Sequence, residues 1–209
     1  MTSNEHPVFA FVYERMTRSA GAEWEGRYRR EVCGPAEGRV LEVGAGNGLN
    51  FALYERAKEV VAVEPEPNMR RRAGPRAGAA AVPVRMVDAG AVPLPFVDAA
   101  FDTVVCSLVL CTVPDLDAAL AEIRRVLKPN GTLRFYEHVR STDPSMARWQ
   151  HRLRKPWGVV GAGCHPDRDT MGALTANGFT GRYRRFVPPM PGGRFLPHVV
   201  GEARTDALT

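Results

Sequence analysis

From Arg39 onward, the sequence alternates short β-rich runs with segments of helical periodicity. The hydrophobic pattern and the β-branched residues predict five strands, over Arg39–Val43, Glu59–Glu64, Val82–Val87, Phe101–Ser107 and Thr132–Val139. The intervening segments predict three helices, over Gly48–Ala57, Glu66–Ala73 and Leu116–Leu127. Strands that alternate with helices are typical of a parallel sheet covered by helices, so the chain is predicted to adopt an α/β fold.

The C-terminal part of the sequence departs from this alternation. Residues 144–178 have helical character, which Pro156 and the glycine-rich run Gly158–Gly163 are predicted to interrupt. Two β-like runs follow, over Phe179–Val187 and His198–Arg204, with a turn-rich segment between them. They are predicted to form an antiparallel hairpin at the end of an otherwise parallel sheet.

The run from Val40 to Gly48 is a predicted strand that ends in a glycine-rich turn, where a ligand can approach the backbone. Its glycines stand at positions 44, 46 and 48, whereas the dinucleotide fingerprint is G-x-G-x-x-G. Glu42 lies just before the turn, where a carboxylate repels a pyrophosphate and attracts an ammonium group. S-adenosylmethionine carries such an amino group and no phosphate, so it fits this turn better than a nicotinamide dinucleotide does.

Acidic residues also end the next two predicted strands. Glu64, which precedes Pro65, stands where a carboxylate can accept hydrogen bonds from both hydroxyls of a ribose. Asp88, which precedes Ala89, is placed to meet the adenine amino group. Three carboxylates at three successive strand ends indicate a ligand that is a positively charged nucleoside.

Residues 39–140 resemble the class I S-adenosylmethionine-dependent methyltransferases. The segment Glu42–Gly48 matches the first motif of that family, and Glu64 matches its ribose-binding acid. The runs Val92–Asp102 and Leu127–Thr132 resemble the stretch before the family's fourth strand and the turn before its fifth. The resemblance implies a Rossmann-like fold: a seven-stranded, mostly parallel sheet with a C-terminal antiparallel hairpin and helices on both faces. It also implies S-adenosyl-L-methionine as the cofactor.

These matches and the strand-end positions together define the predicted cofactor site. Its members lie at the ends of the first four strands and in the turns after them: Glu42, Gly44, Ala45, Gly46, Gly48, Glu64, Pro65, Met69, Asp88, Ala89, Cys106, Ser107 and Leu108. The last three are expected to border the methionine part of the cofactor, because ligands of open α/β sheets lie outside the carboxyl ends of the strands.

A narrower resemblance extends beyond the fourth strand. Ser107–Val113, Tyr136–Val139, Trp149–Gln150 and Gly163–Cys164 look like the methyltransferase-like thiol S-methyltransferases of animal microsomes and their bacterial relatives. Quinone-biosynthesis C-methyltransferases are a more distant match. The resemblance implies methyl transfer to a small-molecule acceptor, with a thiol as the first expectation. The alternatives are O-, N- or C-methylation of a metabolite, quinone or lipid precursor, and a catalytically silent cofactor-binding module.

The acceptor is expected to lie beside the end of the fifth strand. His138 is the predicted general base, since an imidazole titrates near neutral pH, and Glu137 is also expected to face the acceptor. The residues predicted to contact the acceptor are Tyr13, Trp149, Trp157, Cys164 and His165. A sulfonium methyl group is intrinsically activated, so the enzyme mainly has to align the reactants and needs no strong catalytic motif.

The 209 residues are predicted to form one domain. It comprises an N-terminal helical flank or lid over 1–38, a cofactor-binding core over 39–140, and substrate-side helices with the terminal hairpin over 141–209. The oligomeric state is left open.

Composition argues against several other partners. The net charge is +5, but only three of the 28 basic residues are lysines and the arginines are spread along the chain, so no nucleic-acid partner is expected. Nucleic-acid amino-methyltransferases usually carry (N/D)-P-P-(Y/F) after the fourth strand, where this chain has Cys106–Val109. The four cysteines, at 33, 106, 111 and 164, lack C-x-x-C spacing, so no metal site is predicted.

The sequence also gives an expectation for location. The microsomal relatives carry an apolar N-terminal anchor that is absent from this sequence, so no membrane anchor is expected. A secretory signal pattern and an apolar run of about 20 residues are absent as well. A cytoplasmic location is therefore expected.

Overall fold

The computed structural model describes residues 22–190 and 192–205. It contains seven strands: β1 (Glu37–Val43), β2 (Arg56–Val63), β3 (Val84–Val87), β4 (Phe101–Ser107), β5 (Leu127–His138), β6 (Phe179–Phe186) and β7 (His198–Thr205). They form one sheet in the order β3-β2-β1-β4-β5-β7-β6. Tyr13 and most of the predicted N-terminal flank lie outside the described residues.

Strands β1 to β5 run parallel, and β7 pairs antiparallel with both β5 and β6. This arrangement confirms the mostly parallel sheet with a C-terminal antiparallel hairpin. The order reverses between β1 and β4, whose residues Val43 and Cys106 are register partners. The carboxyl ends of these two strands therefore border the crevice in which open α/β sheets bind their ligands.

In the described part of the chain, five α-helices accompany the sheet: α1 (Ala22–Cys33), α2 (Pro67–Gly78), α3 (Leu116–Val126), α4 (Pro144–Val160) and α5 (Thr170–Ala176). Side chains alternate across each strand, so the sheet has two apolar faces. Leu41 and its neighbours on one face pack with α3 and α5, and Val40 and its neighbours on the other pack with α1 and α2. The expected helices on both faces are thus confirmed. Within residues 22–190 and 192–205, no helix combines the length and the apolar character that a membrane span requires.

Four of the helices begin at an acidic N-cap, namely Glu66, Asp115, Asp143 and Asp169. Each carboxylate accepts a hydrogen bond from a backbone N–H in the first helical turn, which would otherwise lack a partner. The caps fix where each helix starts relative to the preceding strand. Glu66 thereby also fixes the chain just after the end of β2.

The helix predicted over Gly48–Ala57 is wrong. The chain forms only a 3₁₀ turn over Phe51–Leu53, and β2 already begins at Arg56, which pairs with Glu37 of β1. The apolar spacing that suggested a helix instead places the Phe51 ring under the turn. Few residues remain between the glycine turn and β2, so a helix of several turns has no room to form.

Two predictions about the lengths of helices also need correction. The break predicted at Pro156 is wrong, because α4 continues through Pro156 to Val160 and ends at the cap residue Gly161. The helix predicted over Glu66–Ala73 continues to Gly78 with Pro75 inside it. Each proline costs its helix one backbone hydrogen bond, and both helices nevertheless continue beyond it.

A buried polar network holds the segment after β1. The Glu42 carboxylate accepts hydrogen bonds from Asn50 Nδ2 at 2.8 Å and from the Tyr54 hydroxyl at 2.9 Å. Arg29 of α1 donates to Asn50 Oδ1 at 3.2 Å and to Ser107 Oγ, at the end of β4, at 3.1 Å. This network joins α1, the segment after β1 and the end of β4, so it fixes one wall of the crevice.

Burial of Glu42 makes the stability of the protein depend on pH. The side chain is 1% exposed, and burial raises its pKa from 4.5 to about 7 despite the bonds from Tyr54 and Asn50. The folded state therefore holds this proton more tightly than the unfolded state does. The resulting stabilisation is full below pH 4.5 and is lost as the pH rises through about 7.

We expect the isosteric, neutral variant Glu42→Gln to gain stability relative to wild type across this interval, by up to about 3 kcal/mol. Urea unfolding of both proteins at several pH values between 4.5 and 7, and at one value above, gives the difference in the free energy of unfolding. A difference that stays constant over this interval would show that Glu42 is not protonated preferentially in the folded state.

Candidate active site

The glycine turn after β1 has the backbone conformation that glycine favours. Gly44, Gly46 and Gly48 have φ angles of +66°, +56° and +79°. A Cβ atom at Gly44 would lie 2.5 Å from a methyl group of Val109, and one at Gly48 would lie 2.7 Å from the Phe51 ring. At Gly46 a Cβ would meet no atom within 4 Å. Gly44 and Gly48 therefore serve packing, whereas Gly46 faces open space through which a ligand can reach the backbone.

Glu64, immediately after β2, binds this turn directly. Its Oε2 atom accepts a hydrogen bond from the Gly46 N–H at 2.8 Å, and its Oε1 atom accepts one from the Glu66 N–H at 2.9 Å. The residue is largely buried, and burial raises the pKa of its carboxyl group above the usual value. Each carboxylate oxygen can accept a further hydrogen bond, so ribose hydroxyls fit beside the open face of Gly46.

The third strand-end acid, Asp88, is exposed. It forms an ion pair with Arg70 Nη2 of α2 at 2.6 Å, and Arg70 Nη1 also donates to the Glu64 carbonyl at 2.7 Å. Arg70 thus connects the ends of β2 and β3. The predicted contact between Asp88 and an adenine amino group is compatible with this exposed position and stays a prediction.

Glu42 differs from the other two acids because its carboxylate points into the protein. Both of its oxygens accept bonds from Asn50 and Tyr54, as described above. The structure therefore gives Glu42 a demonstrable role in fixing the turn. Its predicted contact with the ligand's ammonium group stays a prediction.

The remaining predicted cofactor residues surround the turn at different depths. Met69 is buried in α2, and Pro65 and Ala89 are half-buried after β2 and β3. Ala45, within the turn, donates its N–H to the Val63 carbonyl at 3.0 Å. This bond fixes the turn against the end of β2.

At the end of β4, three successive residues have different surroundings. The Cys106 side chain is fully buried in the core, so only its backbone is available to border a ligand. Ser107 Oγ accepts a hydrogen bond from Arg29. Leu108 has a φ angle of +59° and donates its N–H to the Tyr136 carbonyl at 2.7 Å. This left-handed residue turns the chain away from the sheet at the end of β4.

A buried carboxylate organises the loop that follows. Glu137 of β5 is fully buried, and its two oxygens accept hydrogen bonds from the N–H groups of Val109, Leu110 and Cys111 at 2.9, 2.9 and 3.1 Å. These bonds offset the cost of burying the charge, although burial still raises the pKa of Glu137. The side chain of Glu137 therefore positions the loop after β4. The prediction that Glu137 faces the acceptor is wrong, because both of its oxygens point to this loop.

His138, the next residue, lies between two cysteines. Its Nδ1 atom is 3.6 Å from Cys111 Sγ and 3.4 Å from Cys164 Sγ. A hydrogen bond from Cys111 and the proximity of His138 lower the pKa of the Cys164 thiol to about 4 against the opposing effect of burial. The pKa of Cys111 rises well above its usual value. The structure thus combines the predicted residues His138 and Cys164 with Cys111, which the sequence analysis missed.

Two further residues near this cluster were not predicted. His198 of β7 is the register partner of His138, and the two ring centroids lie 4.5 Å apart. Burial, reinforced by the proximity of His138, strongly lowers the pKa of His198, so its ring is neutral. Arg168 donates to the carbonyls of Leu110 and Val113, both at 2.7 Å. Only the register of the hairpin, which sequence spacing does not give, could have placed His198 here.

The other described residues predicted to contact the acceptor, His165, Trp157 and Trp149, have different surroundings. The His165 N–H donates to the Cys111 carbonyl at 2.8 Å, so His165 adjoins the cluster. Trp157 packs edge-on against Phe195, with ring centroids 5.3 Å apart. Trp149 is about half exposed on α4, which leaves its predicted contact with an acceptor untested.

Comparison with known proteins agrees with this geometry. A family profile described as a methyltransferase domain matches residues 41–135. Thiol S-methyltransferase TMT1B of Rattus norvegicus is 34% identical over 172 residues, which cover 78% of this chain and 69% of that protein. Demethylmenaquinone methyltransferase of Thermus thermophilus is 34% identical over 136 residues, which cover 64% and 62% of the two chains.

Solved structures extend the similarity to the fold. A Thermotoga maritima S-adenosylmethionine-dependent methyltransferase, described as a possible histamine N-methyltransferase, superposes with a TM-score of 0.66 at 21% identity. The match covers 93% of this chain and 95% of that one. The open Gly46 backbone and the Glu64 carboxylate fit the nucleoside of this cofactor. The chain therefore belongs to the class I S-adenosylmethionine-dependent methyltransferases and is similar to their thiol S-methyltransferases.

Proposed function

We propose that the protein transfers the methyl group of S-adenosylmethionine to the sulfur atom of a small-molecule thiol. The observation that carries this proposal is the position of His138, at the carboxyl end of β5 beside the loop that follows β4. The 34% identity to TMT1B of Rattus norvegicus supports a sulfur acceptor.

The residues of the chain have separate tasks in this reaction. Bound S-adenosylmethionine supplies a methyl group that its sulfonium already activates. Gly46 and Glu64 hold the nucleoside, and the end of β4 orients the methionine part. His138 faces the acceptor and promotes loss of its thiol proton, because a thiolate is a far stronger nucleophile than a thiol. Alignment of the thiolate with the methyl group supplies most of the remaining rate acceleration.

A second acceptor class has its own support. Similarity to demethylmenaquinone methyltransferase of Thermus thermophilus covers 64% of this chain. A quinol acceptor, methylated on carbon, is therefore the alternative that a functional test must include. A cytoplasmic location and the absence of a nucleic-acid partner remain predictions from the sequence.

Replacement of Glu64 by alanine is expected to weaken the binding of S-adenosylhomocysteine about 10- to 100-fold, because hydrogen bonds to a charged acceptor are lost. Isothermal titration calorimetry measures this affinity. The matched control is Glu59→Ala, on the strand that precedes Glu64, whose half-exposed carboxylate pairs with Arg39 at 2.8 Å. If Glu64→Ala keeps the wild-type affinity, the proposed contact with the ribose is wrong.

Gly46→Ala tests whether the open space in front of the turn is the cofactor site. The added methyl group meets no protein atom within 4 Å, so the fold should lose only about 1–2 kcal/mol from the positive φ angle. Cofactor affinity should fall at least about tenfold, because the methyl group occupies ligand space. Gly74→Ala, which lies in α2 and also has free space, is the control that should bind normally. Equal affinity of Gly46→Ala and wild type would place the ligand elsewhere.

Methyl transfer itself is tested with acceptors that differ in one atom. We expect labelled methyl groups from S-adenosylmethionine to appear on 2-mercaptoethanol and not on ethylene glycol, since only the thiol ionises readily near neutral pH. A reduced menaquinone analogue is assayed in parallel. Methylation of the quinol alone would replace the thiol proposal by the alternative. S-adenosylhomocysteine binding without any turnover would indicate a catalytically silent module.

A further inference from the structure

Three side chains from separate parts of the chain converge beside the proposed acceptor position. Cys111 follows β4, His138 ends β5, and Cys164 lies between α4 and α5. One sulfur or nitrogen atom of each lies within 4.8 Å of those of the other two. Both cysteines are buried and His138 is partly exposed. The sequence separations of 27 and 26 residues explain why paired-cysteine spacing did not reveal the cluster.

We propose that Cys111, His138 and Cys164 bind a zinc ion with one coordination position left for the sulfur of the acceptor. This inference rests on the proposed function and specifies how that site recognises a thiol. Zinc–sulfur bonds of about 2.3 Å and zinc–nitrogen bonds of about 2.0–2.1 Å give a sulfur–nitrogen edge of about 3.5 Å in a tetrahedron. The two observed distances from His138 Nδ1, 3.6 and 3.4 Å, lie on either side of this value.

The types of the three donors favour zinc over harder cations. Thiolates and imidazole prefer borderline and soft metals, whereas Mg²⁺ and Ca²⁺ prefer oxygen ligands. Two cysteines and one histidine form a donor set of catalytic zinc sites, which keep the fourth position open for water or substrate. Because the two cysteines are buried and His138 is partly exposed, the open position is expected on the side of His138.

Contacts around the three residues hold them in place. The Cys111 N–H donates to Glu137 Oε2 at 3.1 Å, and the Cys111 carbonyl accepts a bond from the His165 N–H at 2.8 Å. The Cys164 N–H donates to the Gly161 carbonyl at 3.0 Å. Outer contacts of this kind orient metal ligands and contribute to metal affinity. The cluster is therefore held by backbone bonds that do not require the metal.

The metal would give the acceptor the charge that methyl transfer requires. An acceptor thiol binds the open position, loses its proton to solvent and remains as a zinc-bound thiolate. The thiolate sulfur then attacks the sulfonium methyl group. The new sulfur–carbon bond forms as the old one breaks, and the electron pair of the broken bond stays on the sulfur of S-adenosylhomocysteine. The product is a neutral thioether, which binds zinc weakly and leaves. In this scheme His138 promotes thiolate formation as a ligand of the metal.

The test uses the full chain, reduced with a phosphine and freed of metal with a chelator, then titrated with Co²⁺ as a spectroscopic substitute for zinc. We expect about one Co²⁺ per chain, with the visible bands of tetrahedral coordination and a thiolate-to-cobalt charge-transfer band. Cys111→Ser and Cys164→Ser should bind Co²⁺ roughly 100-fold more weakly or not at all. Cys33→Ala is the matched control, because Cys33 is also buried but lies outside the cluster.

Substrate binding is read from the same spectra. Addition of 2-mercaptoethanol should intensify the charge-transfer band of the wild-type protein, whereas ethylene glycol should leave it unchanged. A band that does not respond to the thiol would overturn the open coordination position. Absence of Co²⁺ binding by the reduced wild type, or unchanged binding by both serine variants, would overturn the metal site. If Cys111 and Cys164 are found as a disulfide, and the protein still binds no Co²⁺ once that bond is reduced, the metal site is overturned as well.

Two further measurements separate this inference from the proposed function. Thermal melting shows whether each serine variant is folded, and calorimetry with S-adenosylhomocysteine shows whether its cofactor half is intact. Normal cofactor binding without metal binding contradicts only the zinc site. Thiol methylation by chelator-treated enzyme at the wild-type rate also contradicts the zinc site and leaves the thiol methyltransferase proposal in place.

Discussion

The architecture of the site depends on buried carboxylates that accept hydrogen bonds from backbone N–H groups. A carboxylate is costly to remove from water unless donors surround it. Glu64 meets this condition by binding the turn at Gly46 and the start of α2, and Glu137 meets it by binding three successive N–H groups after β4. Each acid therefore fixes a loop that parallel strands alone would leave undetermined, and the two loops border the proposed cofactor and acceptor halves of the crevice.

The same constraint explains which parts of the fold the sequence could predict. Strands such as β4 follow from runs of buried β-branched residues, and α3 follows from its apolar stripe, so both appear where they were expected. The segment after the glycine turn failed because Phe51 and Tyr54 repeat at a helical interval while serving as anchors beneath a short loop. Periodicity reports burial, and a compact loop with buried anchors produces the same signal as one turn of a helix.

The cofactor half of the site was predictable because its chemistry is local in sequence. The glycines at 44, 46 and 48 and the acid at 64 each stand at the end of a strand, so the order of the strands brings them together. The acceptor half is not local. Cys111, His138 and Cys164 come from three elements, and their meeting depends on how the segment between α4 and α5 returns to the sheet. That path is set by backbone hydrogen bonds such as the one from the His165 N–H to the Cys111 carbonyl. Backbone bonds of this kind cannot be predicted from the spacing of residues in the sequence.

This division follows from the demands of methyl transfer. The donor is common to many enzymes and needs the same backbone cradle in each, whereas the acceptor differs and needs little beyond alignment and the right charge. In the proposed function, acceptor binding uses the loop after β4, the end of β5 and the segment beyond α4. Both His138 and the segment beyond α4 lie outside the matched methyltransferase domain of residues 41–135. A cluster of two thiols and an imidazole there would not help to position a hydroxyl or a ring carbon, since neither binds a thiolate-rich metal centre well. The metal-binding cluster would instead favour an acceptor that binds through a sulfur atom. On this proposal, the identity of the acceptor atom is determined in the part of the chain where the sequence pattern is least regular.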